Sequence, residues 1–311
     1  MFCRISLAIG VLCCAAVAES TESITGQWAV GTLPVPGKIE LTLRRSVEGS
    51  EMSSSSPLAI DQLRNLSAAQ INSDGATVHF QIVRDAGTLQ CDGYFKQGIG
   101  GGAFAFAPNA AFVSAMGSLG YKGLTEEMIF RMAVHDVSTA WIQELRSLGY
   151  DHIETEELLR MRIHNVTTEY IRALKKLGYT DLTPDQLVTM RIHGVGLDFV
   201  EQMKDLGYRP TSDELVTMSI HGVTVDFVRS LKSLGYEPTI DQLVTMRIHG
   251  VSTDFARELK GLGYGSVSMD QMVTMRIHGV TAEYIQNLQA RGLRNLTIDQ
   301  LVNLRIHGIV D

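Results

Sequence analysis

The sequence predicts two domains: a small antiparallel all-β domain, then an all-α solenoid built from αα-hairpin repeats. One phrase, Ile-His-Gly-Val with small variations, recurs through the C-terminal two thirds of the chain. Its histidine falls at His135, His164, His193, His221, His249, His278 and His307. The intervals of 29, 29, 28, 28, 29 and 29 residues belong to stacked supersecondary units, seven of 28–29 residues, over 108–311. Ahead of them, residues 24–107 hold short runs of β-branched and aromatic residues separated by Gly, Asp and Ser clusters.

The first element in order is a secretory signal peptide over residues 1–18. Arg4 precedes an apolar run over 5–17, and Ala16-Val17-Ala18 is the small-residue pattern cleaved by a signal peptidase, here before Glu19. The run is shorter than the about 20 residues that a helix needs to cross a bilayer. No later apolar segment is long enough either, so no stable transmembrane anchor is expected. Cys13 and Cys14 lack the small residues expected just before a lipid-modified cysteine. Cleavage removes them and Cys3 and leaves Cys91 alone, a thiol best read as a small core hydrophobe.

In the β domain, strands are predicted over 27–30, 38–45, 77–84, 88–95 and 103–106. By the two-residue strand period, Val78, Phe80 and Ile82 share one face, and Leu41 and Leu43 share one face of an earlier strand. Asp85-Ala86-Gly87 and the glycine-rich stretch 98–102 are expected to be hairpin connections, because glycine reaches positive φ without strain. That stretch is not a phosphate loop: Ala103 stands where the third glycine of the nucleotide fingerprint belongs, and a strand follows where a helix should begin. Residues 60–66 are expected to form a short helix or a loop. Trp28 is expected in the core.

Each repeat is predicted to hold two short helices. In one unit Thr224 is the N-cap candidate of the first helix, Asp226 meets the positive end of its dipole, and Gly235 closes it. The second helix opens on Thr239 with Gln242 at capping-box spacing, as in Thr183/Gln186, Ser268/Gln271 and Thr297/Gln300. It ends at the histidine, and the next residue is Asp136, Asn165, Gly194, Gly222, Gly250, Gly279 or Gly308, all types that tolerate left-handed backbone. Phe227, Val228, Leu231 and Leu234 form one apolar face and Leu243 and Met246 another. These few side chains cannot offset the backbone entropy of a whole unit, so units must shelter one another.

Several rows run through the array. The aromatics Phe112, Trp141, Tyr170, Phe199, Phe227, Phe255 and Tyr284 are expected in the core, as are Tyr121, Tyr150, Tyr179, Tyr208, Tyr236 and Tyr264. The seven histidines are expected to form a structural ladder, each ring near uncapped carbonyls at a helix end. They are not expected to share a metal: equivalent positions on packed helices lie about 8–10 Å apart, whereas a zinc–nitrogen bond is about 2 Å. Arg146, Lys175, Lys204, Lys232 and Lys260 form a basic row on the first helices, and Arg162, Arg191, Arg247, Arg276 and Arg305 one on the second. These are the candidate partner-contacting residues. Acidic rows at Asp185, Asp213, Asp241, Asp270 and Asp299, and at Glu169, Asp198, Asp226, Asp254 and Glu283, favour a solvated face with inter-repeat ion pairs instead.

The phrase Thr-x-Asp-Gln-Leu-Val-x-Met-Arg-Ile-His-Gly-Val-x-x-Asp-Phe-Val-x-x-Leu-Lys-x-Leu-Gly-Tyr resembles helical repeats that follow the membrane domain of some bacterial metallopeptidases of the antirepressor, β-lactam-sensor type. The resemblance covers 108–311 and implies a bacterial, extracytoplasmic interaction module. It carries over no peptidase activity, because the chain has no H-E-x-x-H. Residues 182–188 also look like the opening of the DNA-reading repeats of transcription activator-like effectors, but those repeats are longer and vary two adjacent residues where this chain keeps His-Gly.

A net charge of -7 argues against general affinity for nucleic acid. No nucleophile elbow, CxxC pair or Walker loop is present, so neither an enzyme nor a cofactor is expected. The leading expectation is an exported, non-catalytic binding scaffold for a protein or envelope polymer. The rival is a small-molecule carrier with a cavity among Trp28, Phe80 and Phe95. Because the array stops at Val310-Asp311 without a polar cap, Leu301, Leu304 and Ile306 are expected to be exposed there, which would allow a homodimer through the C-terminal repeat.

Overall fold

A computed structural model describes residues 24–32, 35–47 and 50–308. The expected signal peptide, with Cys3, Cys13 and Cys14, and the final Val310 and Asp311 lie outside the described residues. The chain divides into two compact units, the first reaching Val134 except for Leu119–Tyr121, which belong with the second.

The first unit is built on an antiparallel sheet of β1 (Thr25–Thr32), β2 (Lys38–Val47), β3 (Ser50–Ala59), β4 (Leu63–Arg64), β5 (Ala76–Arg84), β6 (Gly87–Lys96) and β7 (Ile99–Pro108), in the order β3-β2-β1-β7-β6-β5-β4. The five expected strands are all present. β3 was not expected, because its Met-Ser-Ser-Ser-Ser-Pro run has no β signature. Pairing makes it a strand: Leu41, Leu43 and Ile39 of β2 sit opposite Ser56, Ser54 and Leu58. As an edge strand it tolerates Pro57. Residues 60–66 hold a 3-10 turn, Ile60–Gln62, and then β4, whose Leu63 faces Ile82. Ser67 and Gln70 form a capping box on the short α1 (Ala68–Ile71), an element with too few residues to show a period.

The glycine-rich hairpin expected over 98–102 is corrected. Only Gln97 and Gly98 turn, both at positive φ, while Gly100, Gly101 and Gly102 lie inside β7 between β1 and β6. For Gly100 and Gly102 the reason is steric. A Cβ on Gly100 would stand 2.5 Å from the Phe95 ring, and one on Gly102 would stand 2.0 Å from the Asp92 carbonyl oxygen. Gly93, opposite Gly102, lies under Trp28 in the same way. Glycines thus clear the floor on which the core rings rest. α2 (Ala110–Ser118) and α3 (Glu126–Val134) complete this unit; Phe130 of α3 lies 5.8 Å from Phe104 and 5.4 Å from Phe106, and Arg45 bridges to Glu127 at 2.5 Å.

The second unit is helical. One row of helices is α4 (Thr139–Ser147), α6 (Thr168–Lys176), α8 (Leu197–Asp205), α10 (Val225–Ser233), α12 (Thr253–Gly261) and α14 (Ala282–Ala290). The other is α5 (Thr155–Ile163), α7 (Pro184–Ile192), α9 (Ser212–Ile220), α11 (Ile240–Ile248), α13 (Met269–Ile277) and α15 (Ile298–Ile306). Each helix touches the next member of its own row. Both helices of a unit stop in the same way. After α11, His249 is the C-cap, Gly250 takes φ 68°, and the Val251 N–H bonds back to the Met246 carbonyl at 2.8 Å. After α10, Gly235 at φ 90° is followed by Tyr236, bonded to the Leu231 carbonyl at 3.0 Å. These are Schellman stops whose next residue returns to the core: Val251 is fully buried. Capping boxes start α7, α9, α11, α13 and α15, and the first-helix threonines and serines cap as expected, except that Gly196 opens α8 without a side-chain cap.

Candidate functional site

Nine of the ten residues of the two basic rows place their charged heads against the protein itself. On the second helices, Arg162 lies over the Trp141 ring, Arg191 over Tyr170, Arg247 over Phe227, Arg276 over Phe255 and Arg305 over Tyr284, at 5.0–5.4 Å. The Arg162 guanidinium also donates to the His135 carbonyl at 3.0 Å and pairs with Asp136 at 2.8 Å, and Arg191 donates to the His164 carbonyl at 3.4 Å. On the first helices, Arg146 sits over Tyr121 and donates to the Leu119 carbonyl, Lys204 donates to the Leu177 carbonyl, and Lys175 lies over Tyr150 and donates to the Thr180 carbonyl. Lys232 lies over Tyr208 and pairs with Glu237 at 2.6 Å. Lys260 is exposed. A cation seated on a ring and on a free helix-end carbonyl stabilises both.

At three histidines of the row the main-chain carbonyl links one unit to the next. Carbonyls of His135, His164 and His193 accept from the following unit, the last from the Ser219 hydroxyl at 2.5 Å. The rings of His193, His221, His249, His278 and His307 are exposed, while His135 and His164 are half-buried. Among the described residues no three or more His, Cys, Asp or Glu side chains come together as a metal site requires.

Tyrosines clip neighbouring units from the other side. The hydroxyls of Tyr150, Tyr179, Tyr208, Tyr236 and Tyr264 donate to the carbonyls of Leu182, Pro210, Pro238, Val267 and Leu296, at 2.7–3.2 Å. Tyr170 donates to the Val195 carbonyl at 2.9 Å, and burial pushes its pKa up to about 12.

What the sequence reading missed is an apolar row on the surface. Ile163, Ile192, Ile220, Ile248, Ile277 and Ile306 are 47%, 50%, 54%, 53%, 55% and 54% exposed. A signal was present. On a 3.6-residue helix, Ile248 falls with Asp241 and Thr245, opposite Leu243 and Met246, while Val244, one turn before it, stands at the border of the buried stripe. The outer face of each second helix from α7 to α13 therefore reads aspartate, threonine, isoleucine. Among the described residues, no basic side chain lies within ion-pair distance of Asp213, Asp241, Asp270 or Asp299, while Asp185 pairs with Arg160 at 3.0 Å. The expectation at the C-terminal repeat is corrected: Leu301 is fully buried, Leu304 is half-buried, and Ile306 is no more exposed than its counterparts.

In the first unit, Trp28 lies 5.1 Å from Phe80 and 5.4 Å from Phe95, and its indole N–H donates to the Asp92 carbonyl at 3.1 Å. The space in which the carrier reading expects a cavity is filled by these rings. Burial, with Asp92 adding to it, holds the Cys91 pKa up at about 12, which keeps the thiol protonated. The close His79–Asp92 pair, 2.5 Å apart, lies on the exposed face of the sheet, and strand alternation puts Cys91 on the other. No nucleophile and base meet there. Compared with known proteins, the chain matches no family model and no curated sequence.

Proposed function

We propose that this chain is an exported, non-catalytic binding protein whose C-terminal region is an αα-hairpin solenoid of seven 28–29-residue units presenting one repeated face to a partner. The observation that carries the reading is the isoleucine row, about half exposed in six successive units. A single exposed isoleucine needs no explanation, but the same one repeated along a face is the kind of surface that marks an interaction site. The resemblance to extracytoplasmic repeats and the signal-like first eighteen residues support export.

The face favours a polypeptide partner with apolar and basic side chains. Its aspartate row would repel an anionic envelope polymer, and two copies placed face to face would set aspartates against aspartates. The basic rows support partner contact less well, because their heads are seated on rings and carbonyls of the chain itself.

The test is a cross-linking capture from envelope extract with the mature protein and with Ile192→Glu/Ile220→Glu/Ile248→Glu/Ile277→Glu. The reading expects one reproducible protein partner, lost with the quadruple variant while the helical circular dichroism is unchanged. Capture of a polysaccharide, capture indifferent to the substitutions, or substrate turnover in an activity screen overturns it.

A further inference from the structure

Five units place an arginine of the second helix over the aromatic ring of their own first helix, and in each the ring is buried: Trp141 8%, Tyr170 5%, Phe227 6%, Phe255 5% and Tyr284 4% exposed. Two units lack the arginine: in the first, Ala133 holds its place and Phe112 is buried all the same, whereas the unit between Tyr170 and Phe227 leaves its ring less covered. Ser219 stands where the arginine belongs, and its ring, Phe199, is only partly buried.

The neighbourhood is open as well. Arginines elsewhere crowd the glycine after the preceding unit's histidine: a Cβ on Gly222 would meet the Arg247 guanidinium at 3.3 Å, one on Gly250 would meet Arg276 at 3.7 Å, and one on Gly279 would meet Arg305 at 3.6 Å. At Gly194 nothing lies within 4 Å. The Ser219 hydroxyl reaches the His193 carbonyl at 2.5 Å, the acceptor position used by Arg162 and Arg191 in their own units, but it cannot cover the ring.

We infer that the niche framed by Phe199, Gly194 and the His193 carbonyl receives an arginine side chain from the partner, seated as Arg191 is seated on Tyr170 and the His164 carbonyl. Five copies of the ring stack within the same chain, with the carbonyl bond shown for Arg162 and Arg191, define its geometry and its chemistry. A guanidinium is flat, so it stacks on the ring while its edge donates to the carbonyl; an ammonium ion cannot do both as well. Exposed Asp198 and Asp213 of the same unit add negative potential, and Ile192 and Ile220 stand exposed on the second helices at either side. The source of the arginine rests on the binding-scaffold reading; the niche itself does not.

The experiment is an NMR titration of the mature full-length chain, ring-labelled at phenylalanine, with acetyl-Gly-Arg-Gly-amide at millimolar concentration and with its citrulline and lysine analogues. The Phe199 signals are assigned through Phe199→Leu. The inference expects saturable shifts of the Phe199 ring with the arginine peptide, at least tenfold weaker binding of the citrulline peptide, and loss of the response in Ser219→Arg together with a higher unfolding temperature. If Ser219→Arg does not fold, Phe199→Leu serves instead, and it must lose the preference for arginine over citrulline. Unmoved Phe199 signals, equal binding of arginine and citrulline peptides, or an undiminished response in Ser219→Arg overturns the inference. Failure of the isoleucine-row capture would leave this titration intact, so the two readings fail separately.

Discussion

The two compact units solve the same problem, burying apolar surface, in opposite ways. In the first, every contact is made once. Trp28 rests on Gly93 and against Phe80 and Phe95, and Phe104 and Phe106 take Phe130. In the second, a few contacts are made repeatedly: an arginine on a ring, a tyrosine hydroxyl on the next unit's carbonyl, a valine returned to the core by a Schellman stop. The first unit therefore has positions where one change reaches the whole sheet. The second spreads its stability over seams that resemble one another, and a fault should stay close to its seam.

The largest expected effect breaks this comparison from the side of the sheet. Gly102→Val would drive a branched side chain into the Asp92 carbonyl and Gly93 across the strand. A cost of about 3 kcal/mol or more is expected, at the upper end of overpacking penalties because backbone rather than flexible side chain is in the way. Loss of near-ultraviolet signal from Trp28, with the helical signal retained, would show it. Leu243→Ala in the fully buried stripe of α11 should cost about 2–5 kcal/mol, yet hydrogen exchange should accelerate only in α11 and the helices beside it.

A third effect comes with alkali. Tyr170 has a pKa raised above its ordinary value of 10.0, to about 12, and Tyr150, Tyr179, Tyr208, Tyr236 and Tyr264 are raised too, all by burial. A raised folded-state pKa gives stability that is complete below the unfolded value and is lost as pH climbs through the folded one. The helical unit should hold its stability to about pH 10 and lose it toward pH 12, and Tyr170→Phe should blunt that loss. Its neutral-pH cost should be about 1 kcal/mol, one hydrogen bond. The smallest effect is expected at Arg247→Gln, about 0.5–1 kcal/mol for a cation–ring contact at the surface, read as a small drop in the chemical denaturation midpoint.

The same contrast decides what could be read from residues alone. Repeat length, the two helices per unit and their caps were legible because each signal is local and recurs; Asp136 and Asn165 at positive φ, in places held elsewhere by glycine, are the clearest instance. β3 was not legible, since its serines become a strand only through their pairing with β2. Gly100 and Gly102 looked like part of a turn because what crowds them, the Phe95 ring and the Asp92 and Gly93 backbone, lies on the neighbouring strand. The isoleucine row was hidden inside a phrase that reads as core, although the helical period separates Ile248 from Leu243 and Met246. The basic rows were visible as rows; that their heads sit on rings 20 or 21 residues earlier on the second helices and 24 or 25 earlier on the first needed three dimensions.

The central claim is that units after the first gain their shelter from neighbours. Its most direct measurement is a series of C-terminal truncations ending at Gly279, Gly250 and Gly222, followed by circular dichroism and denaturant unfolding. The account predicts folded chains whose helical signal and unfolding free energy fall in similar steps with each unit removed. Collapse of the whole helical signal on removing the last unit alone would contradict it.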